Sequence, residues 1–512
     1  MLVKVAMLIV FFSVMIGVGI YTRKSTVSVD GFVLGGRSVG PWLTAFAYGT
    51  SYFSAVVFVG YAGQFGWKYG LAATWIGIGN ALIGSLLAWV ILGRRTRVMS
   101  QHLKSKTMPD FFGNRFESNS LRIVASAIVF VFMVPYTASI YNGLSRLFGM
   151  AFHIPYAYCV IIMAIVTAIY VIVGGYMATA INDFIQGIIM LFGIVAVIAA
   201  VLNGQGGFIE AVRKMAEIPS DIPITMGQPG AFTSFFGPDP MNLLGVVLLT
   251  SLGTWGLPQM VHKFYAIKDE KAVNTGTVIS TLFAIVISCG CYFLGGFGRL
   301  FDDPAIYSVE TGAIVYDSIV PFMLSKLPDI LVGIVVVLVL SASMSTLSSL
   351  VLTSSSTLTL DFLKDNIIKK MDEKKQVRIM QVLIVFFIAV SVFIALDPPA
   401  FIAQLMGISW GALAGAFLAP FLYGLYWKGV TRAAVWASFI SGVGITVSNM
   451  FFKFIASPIN AGAIAMVVGL IIVPIVSLMT PKMDSEKIDG MFSCYEETVT
   501  ISKKHSLEAD NK

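Results

Sequence analysis

The chain has 512 residues, of which 57% are hydrophobic and only 12% are charged, and its mean hydropathy is +0.85. That balance excludes a soluble globular domain and predicts an all-α polytopic membrane protein, because only helices and closed barrels pair every backbone group in a bilayer and the apolar runs here have helical length. The formal net charge of +7 would suit a nucleic-acid partner if it were clustered on one domain, so its meaning depends on where the charges fall.

At about 17 to 25 apolar residues per span, the candidate spans lie near 3–22, 39–60, 71–93, 121–148, 155–174, 179–202, 240–261, 273–297, 329–360, 379–397, 400–426, 430–452 and 460–480, thirteen in all. The first run is long enough to span and lacks a small-residue cleavage site, so it reads as a helix and not as a cleaved leader. Thirteen spans put the two termini on opposite sides, and basic residues decide which. Alternate connections collect Arg23, Lys24, Arg37, Arg94, Arg95, Arg97, Lys104, Lys106, Arg115, Lys263, Lys268, Lys271, Lys364, Lys369, Lys370 and the lysines of a tail at 481–512. The other set keeps few, among them Lys68, Arg146 and Lys326. The N-terminus is therefore expected outside and the C-terminus in the cytoplasm, and the positive surplus is a membrane rim with no nucleic-acid partner. The connections at 203–238 and 300–329 are longer and read as irregular surface segments or lids.

Two spans are interrupted. The second contains Ala47-Tyr48-Gly49-Thr50-Ser51-Tyr52-Phe53-Ser54, and the seventh Gly253-Thr254-Trp255-Gly256-Leu257-Pro258. Proline lacks a donor and clashes with the preceding turn, and glycine weakens a helix. The breaks are either tolerated kinks or, since they lie five spans apart, the mark of an inverted repeat whose unwound carbonyls face a midplane site. In the sixth span Asp183 is the one carboxylate well inside a predicted helix; it either reaches cytoplasmic water or lines an ion path.

The ninth span, Leu331 to Asp361, is crowded with hydroxyls in its second half. Ser345, Ser348 and Ser349 fall on one helical face with Thr346 beside them. Such hydroxyls either bond back to their own helix and let neighbours pack closely, or offer neutral oxygens to a hard monovalent cation. Cys159, Cys289, Cys291 and Cys494 form no paired motif, and His102, His153, His262 and His505 are scattered through loops or helix ends without metal-ligand spacing. With no nucleophile beside a base, an enzyme and an organic cofactor are not expected.

Five stretches carry a family resemblance: GFVLGGRSVGPWLTAFAYGTSYFSA, KTMPDFFGNRF, GGYMATAINDFIQG, WGLPQMVHKFYAIKDEKAV and SASMSTLSSLVLTSSSTLTLDFL. In order and spacing the chain resembles the sodium:solute symporters from about 31 to 480. The resemblance implies a leucine-transporter-like 5+5 inverted repeat, with one helix before and two after. It implies a transporter domain at 1–480 whose repeat core covers about 39–202 and 240–426, followed by the cytoplasmic tail, in a bacterial or archaeal cytoplasmic membrane. It further implies sodium as coupling ion, held by the carbonyls of Thr50, Phe53 and Ala342 and the hydroxyls of Ser345 and Thr346. Some members bind a second sodium, and the matching positions are Asp183, Ser348 and Ser349.

For the solute, Tyr48, Tyr52, Ser54, Tyr136, Trp255 and Gln259 are the candidate contacts, each of which also fits interhelical packing. Tyr52 and Thr254 stand where proline carriers have an acidic and an aromatic residue, and several segments look closer to the pantothenate-type branch. The expected activity is sodium-coupled import of a small carboxylated metabolite by alternating access, with a proton-coupled symporter or a proline-type carrier as alternatives. The expected partners are that small-molecule substrate and membrane lipid, with no obligate protein partner.

Overall fold

The computed structural model describes residues 2–23, 28–152, 154–364, 366–368, 371–397 and 401–495. Lys24, His153, Lys369, Lys370, His505 and the end of the tail, all read above, lie outside the described residues.

Among the described residues, ten helices are long and apolar enough to cross a bilayer, or eleven when Pro240–Gly256 and Pro258–Ala266, bent by 45°, are joined as one span. Two of the ten cannot be single spans. Tyr156–Gly204 has 49 residues and Val56–His102 has 47. At 1.5 Å per residue each would run about 70 Å, against about 30 Å of hydrocarbon. Both are interrupted by a glycine with positive φ, Gly175 (φ +55°, ψ −151°) and Gly70 (φ +59°, ψ −139°), a conformation that L side chains resist. Dividing at these two residues, with the piece before Gly70 joined to Pro41–Tyr52, turns eleven spans into the thirteen expected.

Helix starts follow local chemistry. Thr107, Asp239, Asp269, Asp372 and Thr431 each accept a bond from the backbone N–H of the residue three places on, capping the helices that begin at Met108, Pro240, Glu270, Glu373 and Arg432. Burial separates the bundle into a centre and a rim. The most apolar stretch of Asp329–Leu363 is 83% buried and that of Ile402–Tyr426 is 89% buried, whereas Val3–Thr22 is 22% and Glu373–Leu396 33% buried. The hydroxyl-rich helix is thus central. Rim helices turn residues such as Ile9, Val10, Val382 and Phe393 outward, as lipid-facing surfaces require.

Both expected breaks are present. Pro41–Tyr52 ends at Phe53 (φ −109°, ψ 95°), and the chain resumes as a π-turn at Val56–Tyr61 and a helix at Ala62–Tyr69. Pro240–Leu252 tightens to a 3-10 turn at Gly253–Gly256, opens at Leu257 (φ −87°, ψ 120°) and restarts at Pro258, whose missing N–H costs nothing at a helix start. The two long connections are less irregular than expected, each carrying a helix, Phe208–Glu217 and Tyr316–Ser325. The first folds because Ala211 and Met215 recur on one face and pack beneath Phe232 and Phe297.

Candidate functional site

The first break sets the site's chemistry. The last helical bond before it runs from the Phe53 amide to the Gly49 carbonyl, at 3.2 Å. Carbonyls from Thr50 onward therefore lack intrahelical donors, and they sit at the negative end of the half-helix dipole. Against them lies the hydroxyl-rich helix Asp329–Thr357. Ser345 Oγ is 3.1 Å from the Thr50 carbonyl, 3.1 Å from that of Ala342 and 3.0 Å from that of Ser341. Thr346 Oγ1 is 3.2 Å from the Thr50 carbonyl, 3.1 Å from that of Ala342 and 3.4 Å from that of Ser51. All of these residues are buried.

Each hydroxyl has one hydrogen to donate. Two hydrogens thus face four carbonyl oxygens in a site closed to bulk water. This is an oxygen-rich, proton-poor pocket with no formal negative charge, and such a donor set suits a hard monovalent cation. Thr50, Ala342, Ser345 and Thr346 are brought together; Phe53, the fifth expected ligand, stands at the break and makes no hydrogen bond to either hydroxyl among the described residues.

The remaining hydroxyls divide. Ser341, Ser343, Ser355 and Ser356 donate to carbonyls three or four residues back, the packing alternative. Ser348 does the same, reaching the Ser345 carbonyl at 2.9 Å. Ser349 does not. Its Oγ is 2.7 Å from Ser51 Oγ and accepts a bond of 2.9 Å from Lys263 Nζ, which also lies 3.7 Å from Asp183 Oδ2.

Lys263 was expected on the cytoplasmic rim and is instead 1% exposed, with His262 beside it at 4%, neither of them in a loop. The cause is the second break. Because the helix restarts at Pro258, Lys263 is only about 7.5 Å along the new axis and is still inside the bundle.

Of the six candidate solute contacts, four have their polar groups engaged. Tyr48 donates to the Gly84 carbonyl (2.7 Å), Tyr52 to that of Thr250 (2.5 Å) and Trp255 to that of Ile83 (3.0 Å), while Ser54 Oγ accepts from the Val56 amide (3.2 Å) and starts the second half-helix. Both ends of the Gln259 amide are buried with no hydrogen-bond partner among the described residues, while the Tyr136 hydroxyl has Ser54 and Trp410 as polar neighbours without a well-formed bond to either. Such groups call for an explanation, and a bound polar solute supplies one.

Sequence reasoning passed over Trp410. Its indole N–H neighbours the Tyr136 hydroxyl without forming a well-aligned bond, its ring lies 5.9 Å from Tyr136 and 6.1 Å from Tyr52, and Gly253 of the second break packs against it. A lone large aromatic in the small-residue run Gly407 to Gly415 was the available signal. This cluster is closed over. An open cavity of about 660 Å³, lined by none of these residues, lies beside Gln64, Lys68, Asp221 and Arg299. At another face of the bundle Arg37 fastens three segments, donating to Ser100 Oγ (3.1 Å) and to the carbonyls of Tyr265 (3.1 Å) and Ser105 (2.5 Å).

Comparison with known proteins bears on these features. The model of the sodium:solute symporter family matches residues 32–442. A sodium/proline symporter of Staphylococcus aureus (strain JH9) is 30% identical over 463 residues, covering 86% of this chain and 84% of its own, and the protein of strain JH1 matches equally. Among solved structures, a substrate-bound, outward-open Na+-coupled sialic acid symporter superposes with a TM-score of 0.76 at 15% identity, covering 94% of this chain and 98% of its own. A nucleobase-cation-symport-1 family transporter, closed with bromovinylhydantoin bound, gives 0.52 at 14% identity, over 90% of this chain and 98% of its own. The fold is therefore the leucine-transporter-like one that the resemblance implied.

Proposed function

The chain belongs to the sodium:solute symporter family, the relatives and solved structures compared above are transporters and not enzymes, and on that premise we propose that it imports a small organic solute together with sodium. The observation that carries the reading is the convergence of Ser345 and Thr346 on the freed Thr50 carbonyl. Sodium would be held by the Thr50 and Ala342 carbonyls and the two hydroxyls, with Phe53 closing the shell from the break. Binding would draw the broken helix onto the hydroxyl-rich helix, complete the solute pocket at Tyr136, Gln259 and Trp410, and favour the closed form. Reorientation of the repeat core, 39–202 and 240–426, then releases both into the cytoplasm. The N-terminus lies outside and the C-terminus inside in this scheme.

A tenfold sodium gradient supplies about 1.4 kcal/mol and 100 mV about 2.3 kcal/mol per charge, so one ion drives about 500-fold accumulation of a neutral solute. The solute class is a small carboxylated metabolite. The sodium/proline symporters at 30% identity favour an amino acid of the proline type within that class, while Tyr52 and Thr254 favour a different pocket from that of proline carriers.

Proteoliposomes test the reading directly. Labelled proline and pantothenate are offered under an inward sodium gradient and under an equal potassium gradient. Accumulation of one of them that requires sodium supports the proposal. Accumulation that follows a pH gradient and ignores sodium overturns sodium coupling in favour of protons.

A further inference from the structure

Lys263 brings an ammonium to the place where a second cation would have to sit. Its Nζ lies between Asp183 Oδ2 (3.7 Å) on the sixth-span helix and Ser349 Oγ (2.9 Å) on the hydroxyl-rich helix, two of the three groups that would ligate a further sodium. The third, Ser348, turns its hydroxyl back to the Ser345 carbonyl. Asp183 and Lys263 are both fully enclosed, and the Tyr176 ring stacks its face toward the ammonium at 5.3 Å, with His262 adjacent in the chain. One carboxylate neutralises one cation. A sodium ion placed here would meet the ammonium at contact distance, in a medium that screens it poorly.

We propose that Lys263 is a tethered cation that permanently fills this second position, so that the carrier binds and moves a single sodium ion per cycle. The inference rests on the symport reading above. The Lys263 side chain supplies what a second ion would otherwise bring: a positive charge joining the sixth-span helix, the helix after the second break and, through Ser349 and Ser51, the first broken helix beside Thr50. Being tethered, that charge never leaves with the solute, and the Asp183–Lys263 pair is neutral on both legs of the cycle. A solute with a net negative charge is then carried without net charge movement, driven by the sodium gradient alone, whereas a zwitterion still draws on the membrane potential.

Equilibrium binding of radiolabelled sodium to the full-length protein in lipid nanodiscs counts the ions without knowledge of the solute. The wild type should bind close to one sodium per protein. Lys263→Met should bind close to two, because the vacated position keeps Asp183, Ser348 and Ser349. The charge-free pair Lys263→Met with Asp183→Asn should return to one. Two ions on the wild type, or still one on Lys263→Met, would overturn the inference and leave the Thr346 site standing. No ion on the wild type would overturn the symport reading itself. Where Lys263→Met fails to fold, Lys263→Gln takes its place, with two ions supporting the tethered cation and one overturning it.

Discussion

The hydroxyl of Ser345 lies 3.1 Å from the carbonyl of Thr50, a residue 295 positions earlier in the chain. The contact joins the most hydroxyl-rich helix to the first broken one at the point where the break frees a carbonyl. A single serine reaching a neighbouring helix is ordinary membrane packing. Here Thr346 repeats the reach, and together the two hydroxyls face more acceptors than they have hydrogens, an imbalance that a bound cation removes.

Gln259 is predicted to recognise the solute and not the ion. Both ends of its buried amide lack hydrogen-bond partners among the described residues. An unmade hydrogen bond in a buried site is worth about 1–3 kcal/mol, so Gln259→Ala should raise the half-saturating solute concentration about tenfold while sodium binding in the absence of solute is retained. Concentration-dependent uptake and solute-free sodium titration measure the two separately; equal losses in both would assign Gln259 to the frame.

Gly66 marks a backbone crossing. A Cβ there would collide with the Gly295 carbonyl, and one on Gly295 with the Ala62 carbonyl, so neither can yield as a flexible side chain would. Gly66→Ala should cost about 1–3 kcal/mol by overpacking and lower the thermal midpoint in detergent, because the second half of the first broken helix must shift. An unchanged midpoint would show that the crossing is looser than described.

These positions show what the sequence made legible. Apolar run length gave the thirteen spans, and Gly, Pro and hydroxyl residues at bilayer depth located both breaks, since those features are local. The pairing of Ser345 and Thr346 with Thr50 came from family resemblance, because no periodicity relates residues that far apart. Lys263 was read as a rim charge for an instructive reason. Counting apolar residues ends the seventh span at 261, yet the break at Leu257 resets the helix and carries five further residues inward. The partnership with Asp183 is tertiary and invisible to composition, as is the placing of Trp410 between two breaks.

Asp317 should make stability depend on pH. It lies outside the spans, fully buried at the start of Ile402–Tyr426, where Oδ2 accepts the Ile402 amide at 3.2 Å. Burial pushes its carboxyl up to about 6 from the usual 3.8, although Arg146 and the Ile402 bond oppose the shift. A folded value above the unfolded one favours the protonated form. The contribution is therefore complete below about pH 4 and lost as pH rises through about 6, amounting to at most about 3 kcal/mol. Asp317→Asn cannot ionise, so the thermal midpoint of the wild type should fall relative to the variant across that window. Parallel pH curves for the two proteins would contradict the assignment.

The central claim is that Ser345 and Thr346 hold the transported sodium, and it is tested most directly by sodium titration of purified protein without solute, read by equilibrium binding. Loss of one hydroxyl ligand, at about 1–3 kcal/mol, predicts that Ser345→Ala and Thr346→Ala each raise the half-saturating sodium concentration about tenfold or more. In the same experiment Ser355→Ala, whose hydroxyl bonds back to its own helix, should leave it unchanged. Wild-type sodium affinity in both Ser345→Ala and Thr346→Ala would contradict the account.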